Sequence, residues 1–171
     1  RMDPDPLLGT KYRAIRRIGA GGHGEVYEAE HLELRRTCIV KLLREQGREV
    51  VYDAEHFFDG YKDSAAHALS TLKAARDAGA HRLVLCDTNG GTMPSELLKA
   101  IEIVQWQFPN VKLGIHCHND ADVAVANSLM ALQAGVQQVQ ACMNGYGERC
   151  GNANMASIIA NLKLKLNQPV I

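Results

Sequence analysis

From Glu49 to the carboxyl end the chain repeats one grammar, in which short β-branched and aliphatic runs alternate with longer segments whose apolar residues recur at helical spacing. Glu49-Val50-Val51-Tyr52 reads as a strand, and Ala65 to Ala78 as a helix with Ala68, Leu69, Leu72 and Ala75 on one face. Arg82 to Cys86 is the next strand. Pro94 to Phe108 is the next helix, with Pro94 in its first turn and Leu97, Leu98, Ile101 and Val104 aligned. Val111 to Ile115, a helix from Asp122 to Ala134 ending at Gly135, a strand from Val136 to Cys142 and a last helix from Asn152 to Leu162 complete the pattern. Four successive βα units with short connections imply a parallel sheet with right-handed crossovers, so this part of the chain is α/β.

The residues before it follow a different pattern. Tyr12, Ala14 and Ile18 precede a glycine cluster, Val26, Tyr27 and Ala29 follow it, and Thr37-Cys38-Ile39-Val40 is a third β-type run, which together predict a small three-stranded antiparallel piece. No linker rich in Gly, Pro or Ser separates the halves. The expected organisation is therefore two fragments, 1–43 and 44–171, joined somewhere within 41–47 as in a fusion or chimera.

Composition narrows the function classes. Nineteen basic and nineteen acidic residues cancel, so the basic excess of a nucleic-acid binder is missing. With 46% hydrophobic and 22% charged residues the chain can bury a core. Five scattered cysteines, odd in number and never in a C-x-x-C pair, predict reduced thiols and a cytoplasmic setting. Arg1 to Pro6 lacks the apolar stretch of a secretory signal, and no apolar run approaches the ~20 residues that span a bilayer, so no membrane partner is expected.

Two motifs carry chemistry. Gly19-Ala20-Gly21-Gly22-His23-Gly24 matches G-x-G-x-x-G, but the strand-like Glu25 to Glu30 that follows favours a strand–loop–strand hairpin over a dinucleotide site. With Val26 and Lys41 in register, residues 10–43 resemble the glycine-rich loop and third-strand lysine of a bacterial Ser/Thr protein kinase, which implies that Gly19, Gly21, Gly24 and Lys41 are remnants of an ATP site. Neither the H-R-D-x-x-x-x-N loop nor D-F-G occurs later in the chain. A small twisted sheet with no nucleotide is the competing reading.

The second motif is His116-Cys117-His118-Asn119-Asp120. Side chains alternate along a strand, so His116 and His118 share a face, where two imidazoles can ligate a divalent metal. A buried structural pair is the alternative. The wider wording adds to this: Glu49 to Gly60, Leu85 to Thr92, Gly114 to Asp120 and Asn144 to Asn152 resemble, in order, four strand ends of the 2-isopropylmalate and citramalate synthases. That metal-dependent family also includes 3-hydroxy-3-methylglutaryl-CoA lyase.

The resemblance implies that the second part is half of a (β/α)8 TIM barrel, strands five to eight, with the site at the carboxyl ends of the strands. It implies that His116, His118 and Asn152 hold a divalent metal (Mn, Mg or Zn), that Glu55 is catalytic and that Thr88 binds the carboxylate of a 2-oxo acid. The implied reaction is a transferase step of branched-chain amino-acid biosynthesis, in which acetyl-CoA condenses with the oxo acid. Two departures accompany it. Asp120-Ala121-Asp122 replaces the usual Asp-x-Gly, with Asp122 a candidate cap for the next helix, and the family's strands one to four, with the Arg-Asp pair of the first, have no counterpart among these residues. Little turnover is expected of these residues alone, and homo-oligomers through open sheet edges are expected.

Overall fold

The computed structural model describes residues 12–21, 24–31, 36–41 and 49–170. The chain divides into two units, Arg1–Val50 with Asp77–Ala80, and Val51–Arg76 with His81–Ile171.

In the first unit, β1 (Tyr12–Gly21), β2 (Gly24–His31) and β3 (Arg36–Lys41) form an antiparallel sheet in the order β1-β2-β3. This is the expected three-stranded piece. Gly21 pairs with Gly24 across the first turn, and the register aligns Gly19 with Val26 and Val26 with Lys41. Register shifts interrupt β1 between Ala14 and Arg16 and between Arg17 and Gly19.

The second unit is built on β4 (Val51–Ala54), β5 (Arg82–Asp87), β6 (Lys112–Cys117) and β7 (Gln138–Gln140), all parallel and in the order β4-β5-β6-β7. Strictly sequential order is barrel-like, because a doubly wound sheet reverses direction at a switch point. Between the strands run α1 (Phe57–Asp63), α2 (Ala65–Asp77), α3 (Pro94–Gln107) and α4 (Ala124–Gln133), and α5 (Met155–Leu164) follows β7. The unit is an α/β half-barrel, as expected.

One face of the sheet meets the helices. Leu83, Leu85, Leu113 and Ile115 are at most 1% exposed there, against Leu72, Leu97, Ile101 and Val104 of the helices, which are fully buried. Each contributes about 1.5–3 kcal/mol of burial. The other face carries, in register, a row of Asp53, Val84, Gly114 and Gln138, and beyond it a row of Cys86, His116 and Gln140. Gln140 Nε2 donates to Asp53 Oδ1 at 2.9 Å although their strands lie three positions apart. In a flat sheet that separation is roughly 14 Å, beyond the reach of these side chains, so the sheet curls with this face concave. A half-barrel is expected to leave this face apolar and bare. Instead Val84 and Cys86 are buried within the single chain, and the rim is polar.

Several boundaries differ from the expectation for identifiable reasons. β4 lies two residues later than predicted, and β7 spans only Gln138–Gln140, because the Val136 N–H closes the end of α4 on Ala131 and the Cys142 N–H pairs with Ala153. α1 escapes a periodicity search because its anchors, Phe57 and Phe58, are adjacent, with rings edge to face at 5.3 Å. α5 starts at Met155, capped by Asn154, and leaves Asn152 outside the helix as an antiparallel bridge partner of His118. Asp122 does not cap α4: the Ala124 N–H is taken by Asn119 Oδ1 at 3.1 Å, and Asp122 accepts from Asn119 Nδ2. Its φ of 57° explains the glycine usual at this position, since glycine adopts that conformation without strain.

Candidate active site

The carboxyl ends of β4 to β7 gather the residues that the motifs single out. Glu55 follows β4, Thr88 follows β5, His116 and His118 end β6, and Asn152 returns on the loop after β7. Two groups form.

At the β4–β5 end, Thr88 Oγ1 donates to Glu55 Oε2 at 2.8 Å and accepts the His56 N–H at 2.8 Å. Glu55 and Thr88, implied to have separate roles, are thus hydrogen-bonded to each other. The hydroxyl has one proton and Glu55 takes it, so an incoming carboxylate would compete with Glu55 for it. Beneath Thr88 the preceding residue, Asp87, is buried on the helix face and receives the backbone and hydroxyl hydrogens of Thr92 at 3.3 and 2.8 Å. Burial pushes its carboxyl above the ordinary range, against the pull of these hydrogen bonds.

At the β6–β7 end the two imidazoles stand side by side, ring centroids 5.1 Å apart. His116 is engaged at both nitrogens: Nδ1 with Gln140 Oε1 at 2.8 Å, and Nε2 with Asn152 Nδ2 at 3.3 Å. His118 Nδ1 lies 3.2 Å from Arg149 Nη2, which can only donate, so that ring carries its proton on Nε2 in this arrangement. Burial, then His116 and Arg149, hold the His118 imidazolium form below its usual range. Arg149 also grips Asp120 through both carboxylate oxygens at 2.7 and 2.9 Å and donates to the Thr88 carbonyl at 2.7 Å, tying the two groups together. Its guanidinium keeps the Asp120 carboxyl below the ordinary carboxylate range.

The loop that brings Asn152 in depends on glycine. Gly145 and Gly151 have φ of 73° and 95°, and a Cβ on Gly151 would overlap the Gly145 carbonyl oxygen. A Cβ on Gly147 would overlap Asn152 Oδ1. That oxygen is buried with no hydrogen-bond partner.

Among the described residues no three His, Cys, Asp or Glu side chains converge on a common point. His116, His118 and Asn152 nevertheless offer two imidazoles and an unpartnered carboxamide oxygen, a donor set that suits a borderline divalent cation and is incomplete by itself. His116 presents an unprotonated Nε2 that accepts from Asn152 Nδ2, a contact the Asn152 amide would exchange for a cation by turning over. His118 would need Arg149 exchanged or its ring turned over to do the same. The thiols are poor donors: burial raises Cys86 strongly and pushes Cys117 up to about 12. Gln140, Asp53 and Arg149 are members of the site that sequence reasoning passed over. Only the alternation along β4 and β7, which puts Asp53 and Gln140 on the histidines' face, hinted at two of them.

The profile of the HMGL-like family matches residues 27–170. The chain belongs to the HMGL-like family. Among relatives of this HMGL-like chain, the (R)-citramalate synthase of Geobacter sulfurreducens is 55% identical over 142 residues, 83% of this chain and 26% of the relative, and that of Aquifex aeolicus is 54% identical over 132 residues, 77% and 25%. The 2-isopropylmalate synthase 1 of Caldanaerobacter subterraneus subsp. tengcongensis is 37% identical over 130 residues, 74% and 32%. The chain thus spans about a quarter of the length of the citramalate synthases it matches. The HMG-CoA lyase of Bacillus subtilis superimposes with a TM-score of 0.56 at 25% identity, over 60% of this chain and 36% of the lyase. The matched span takes in β3, so Lys41 falls within the HMGL-like region, and no similar protein found supports the expected likeness of residues 10–43 to a kinase.

No helix among the described residues is long and apolar enough to cross a membrane. The four cysteines whose side chains are described are unpaired.

Proposed function

We propose that these residues form the histidine-bearing half of a citramalate-synthase-type active site, in which acetyl-CoA condenses with a small 2-oxo acid. The observation that carries this reading is the meeting of His116 Nε2 with Asn152 Nδ2 at 3.3 Å beside the second imidazole of His118, with the Asn152 carboxamide oxygen buried and unpartnered. Citramalate synthases at 54–55% identity supply the substrate class.

His116, His118 and Asn152 would hold a divalent cation, whose chemistry when bound is to withdraw electrons from the oxo acid's carbonyl and so make its carbon electrophilic. Thr88, released by Glu55, would donate its hydroxyl hydrogen to the substrate carboxylate. Glu55, freed by the same exchange, becomes an acceptor beside the reacting carbons and can hold a proton. In the reaction the acetyl methyl C–H breaks, a bond forms from that carbon to the oxo carbon, the oxo oxygen gains a proton, and water then cleaves the thioester to release CoA. The 171 residues hold no first-strand Arg-Asp pair, which in this family completes the metal shell and faces the developing oxyanion. Alone they are expected to bind metal weakly and to turn over little.

Calorimetric titration of the purified chain with Mn2+ and Zn2+, alongside thiol release from acetyl-CoA with pyruvate, tests both halves. Binding that His116→Ala and Asn152→Ala each weaken at least about tenfold is expected. Binding unaffected by either substitution overturns the site, and thiol release at an enzyme's ordinary rate overturns the expected inactivity.

One observation favours a second reading, a nucleotide-holding hairpin: the register that aligns Gly19, Val26 and Lys41 across three strands. Millimolar ATP should then raise the melting temperature, and Lys41→Ala should remove the rise.

A further inference from the structure

We propose that Asp53 and Gln140 are positioning residues that set the tautomer of His116 and so keep its Nε2 unprotonated on the side of the site. Asp53 is the exposed end of a row that crosses the concave face from β4. A carboxylate only accepts hydrogen bonds, so the amide of Gln140 must turn its Nε2 toward Asp53, and it does so at 2.9 Å. That leaves Gln140 Oε1 facing His116 Nδ1 at 2.8 Å. An amide oxygen also only accepts. The ring proton of neutral His116 is therefore on Nδ1, and Nε2, facing Asn152 at 3.3 Å, keeps its lone pair. Three contacts, none requiring a change of charge, convert a carboxylate on the first strand of the sheet into the direction of a lone pair on the third.

His118 is the internal contrast. Its Nδ1 meets the donor Arg149, which puts its proton on Nε2, so the two same-face histidines carry opposite tautomers. What the lone pair of His116 serves rests on the reading above; where the proton sits does not. The purpose fits a metal ligand, whose second nitrogen commonly donates to a carbonyl that fixes the ring.

The test is nitrogen-15 imidazole NMR on the metal-free 171-residue chain at a pH where His116 is neutral, paired with Mn2+ and Zn2+ titration. Wild type should show the proton of His116 on Nδ1. Gln140→Leu, similar in size but with nothing to accept, should shift it to Nε2 or to a mixture and weaken metal binding by about 10–100-fold. Asp53→Leu should give a mixture, because the amide can then present either end. The paired exchange Asp53→Asn with Gln140→Glu rebuilds the relay with donor and acceptor swapped at the first contact, and should restore the wild-type tautomer and bring affinity back to within about threefold. Both residues lie on the concave rim, and the paired exchange is nearly isosteric, so it also shows whether Gln140→Leu merely unfolds the site. A wild-type proton on Nε2, or a tautomer indifferent to Gln140→Leu, overturns the proposal. The predicted tautomers in a chain that binds no metal would uphold it and overturn the metal site instead.

Discussion

The two ends of the strand rim are built in different ways. At the β6–β7 end His116 is held at both ring nitrogens, His118 is 9% exposed, and the loop that delivers Asn152 passes through two positive-φ glycines packed backbone to backbone. At the β4–β5 end Glu55 is exposed and is joined to Thr88 by one hydrogen bond that a ligand could replace. The first end is organised before anything binds. The second is ready to exchange partners, which suits a group that must receive substrate and move a proton.

Gly151→Ala should break the preorganised end most severely. At φ 95° a side chain is strained, and its Cβ would overlap the Gly145 carbonyl, which is backbone and cannot swing aside. A loss of roughly 2–4 kcal/mol is expected from strain and overlap together. Urea denaturation measures it; a loss below about 1 kcal/mol would mean that the loop is far more pliant than this comparison requires.

Thr92→Val probes what lies under the exchangeable end. Folded Asp87 titrates above its unfolded value of 3.8, so the folded state keeps its proton to higher pH, and stability falls as pH rises through that interval and is level above it. Thr92 limits the fall by donating to the charged form. Removing its hydroxyl should cost about 1.5–3 kcal/mol near neutrality and distinctly less at about pH 2.5, well below the unfolded value of 3.8, where Asp87 is protonated in both states. Equal losses at the two pH values would show that the carboxylate is not what Thr92 serves.

Gly147→Ala separates site from fold. Its Cβ would overlap the Asn152 side chain, which can move, and crowd the Asn152 backbone nitrogen only slightly, at 3.3 Å, so stability should change by less than about 1 kcal/mol while metal affinity falls at least tenfold. Affinity that survives the substitution would remove Asn152 from the site.

How far the sequence reveals this contrast follows from the range of the interactions. Strand and helix periods are local, and they locate β5, α2 and α3 to within a residue of the observed limits, because each has an apolar face of regular spacing. The four motifs place Glu55, Thr88, His116 and His118 at one rim for the same reason, since each sits at a strand end, and Asn152 joins them from the loop after β7. What stays hidden is what depends on curvature and backbone handedness. Asp53 and Gln140 are 87 residues apart and meet only because the sheet curls. Arg149 acts from a φ of 53° in the Asn152 loop, and no alternation rule predicts where such a residue points. Asp122, a natural helix cap by composition, takes a positive φ and yields that role to Asn119.

Thr88→Val is the smallest expected effect and the sharpest on the exchangeable end. It deletes the bond to Glu55 and also the acceptor of the His56 N–H, at the residue whose φ of 55° starts α1. Both bonds are near solvent, so water replaces most of what is lost, and the change in global stability should stay within about 0.5–1 kcal/mol. Local protection should respond more than the total. Hydrogen exchange at the His56 amide should accelerate clearly while amides of β5 and β6, on the buried side of the sheet, keep wild-type rates. Acceleration that spreads into β6 would mean that the two ends are one cooperative unit, with Arg149, which bonds both the Thr88 carbonyl and His118, as the link between them.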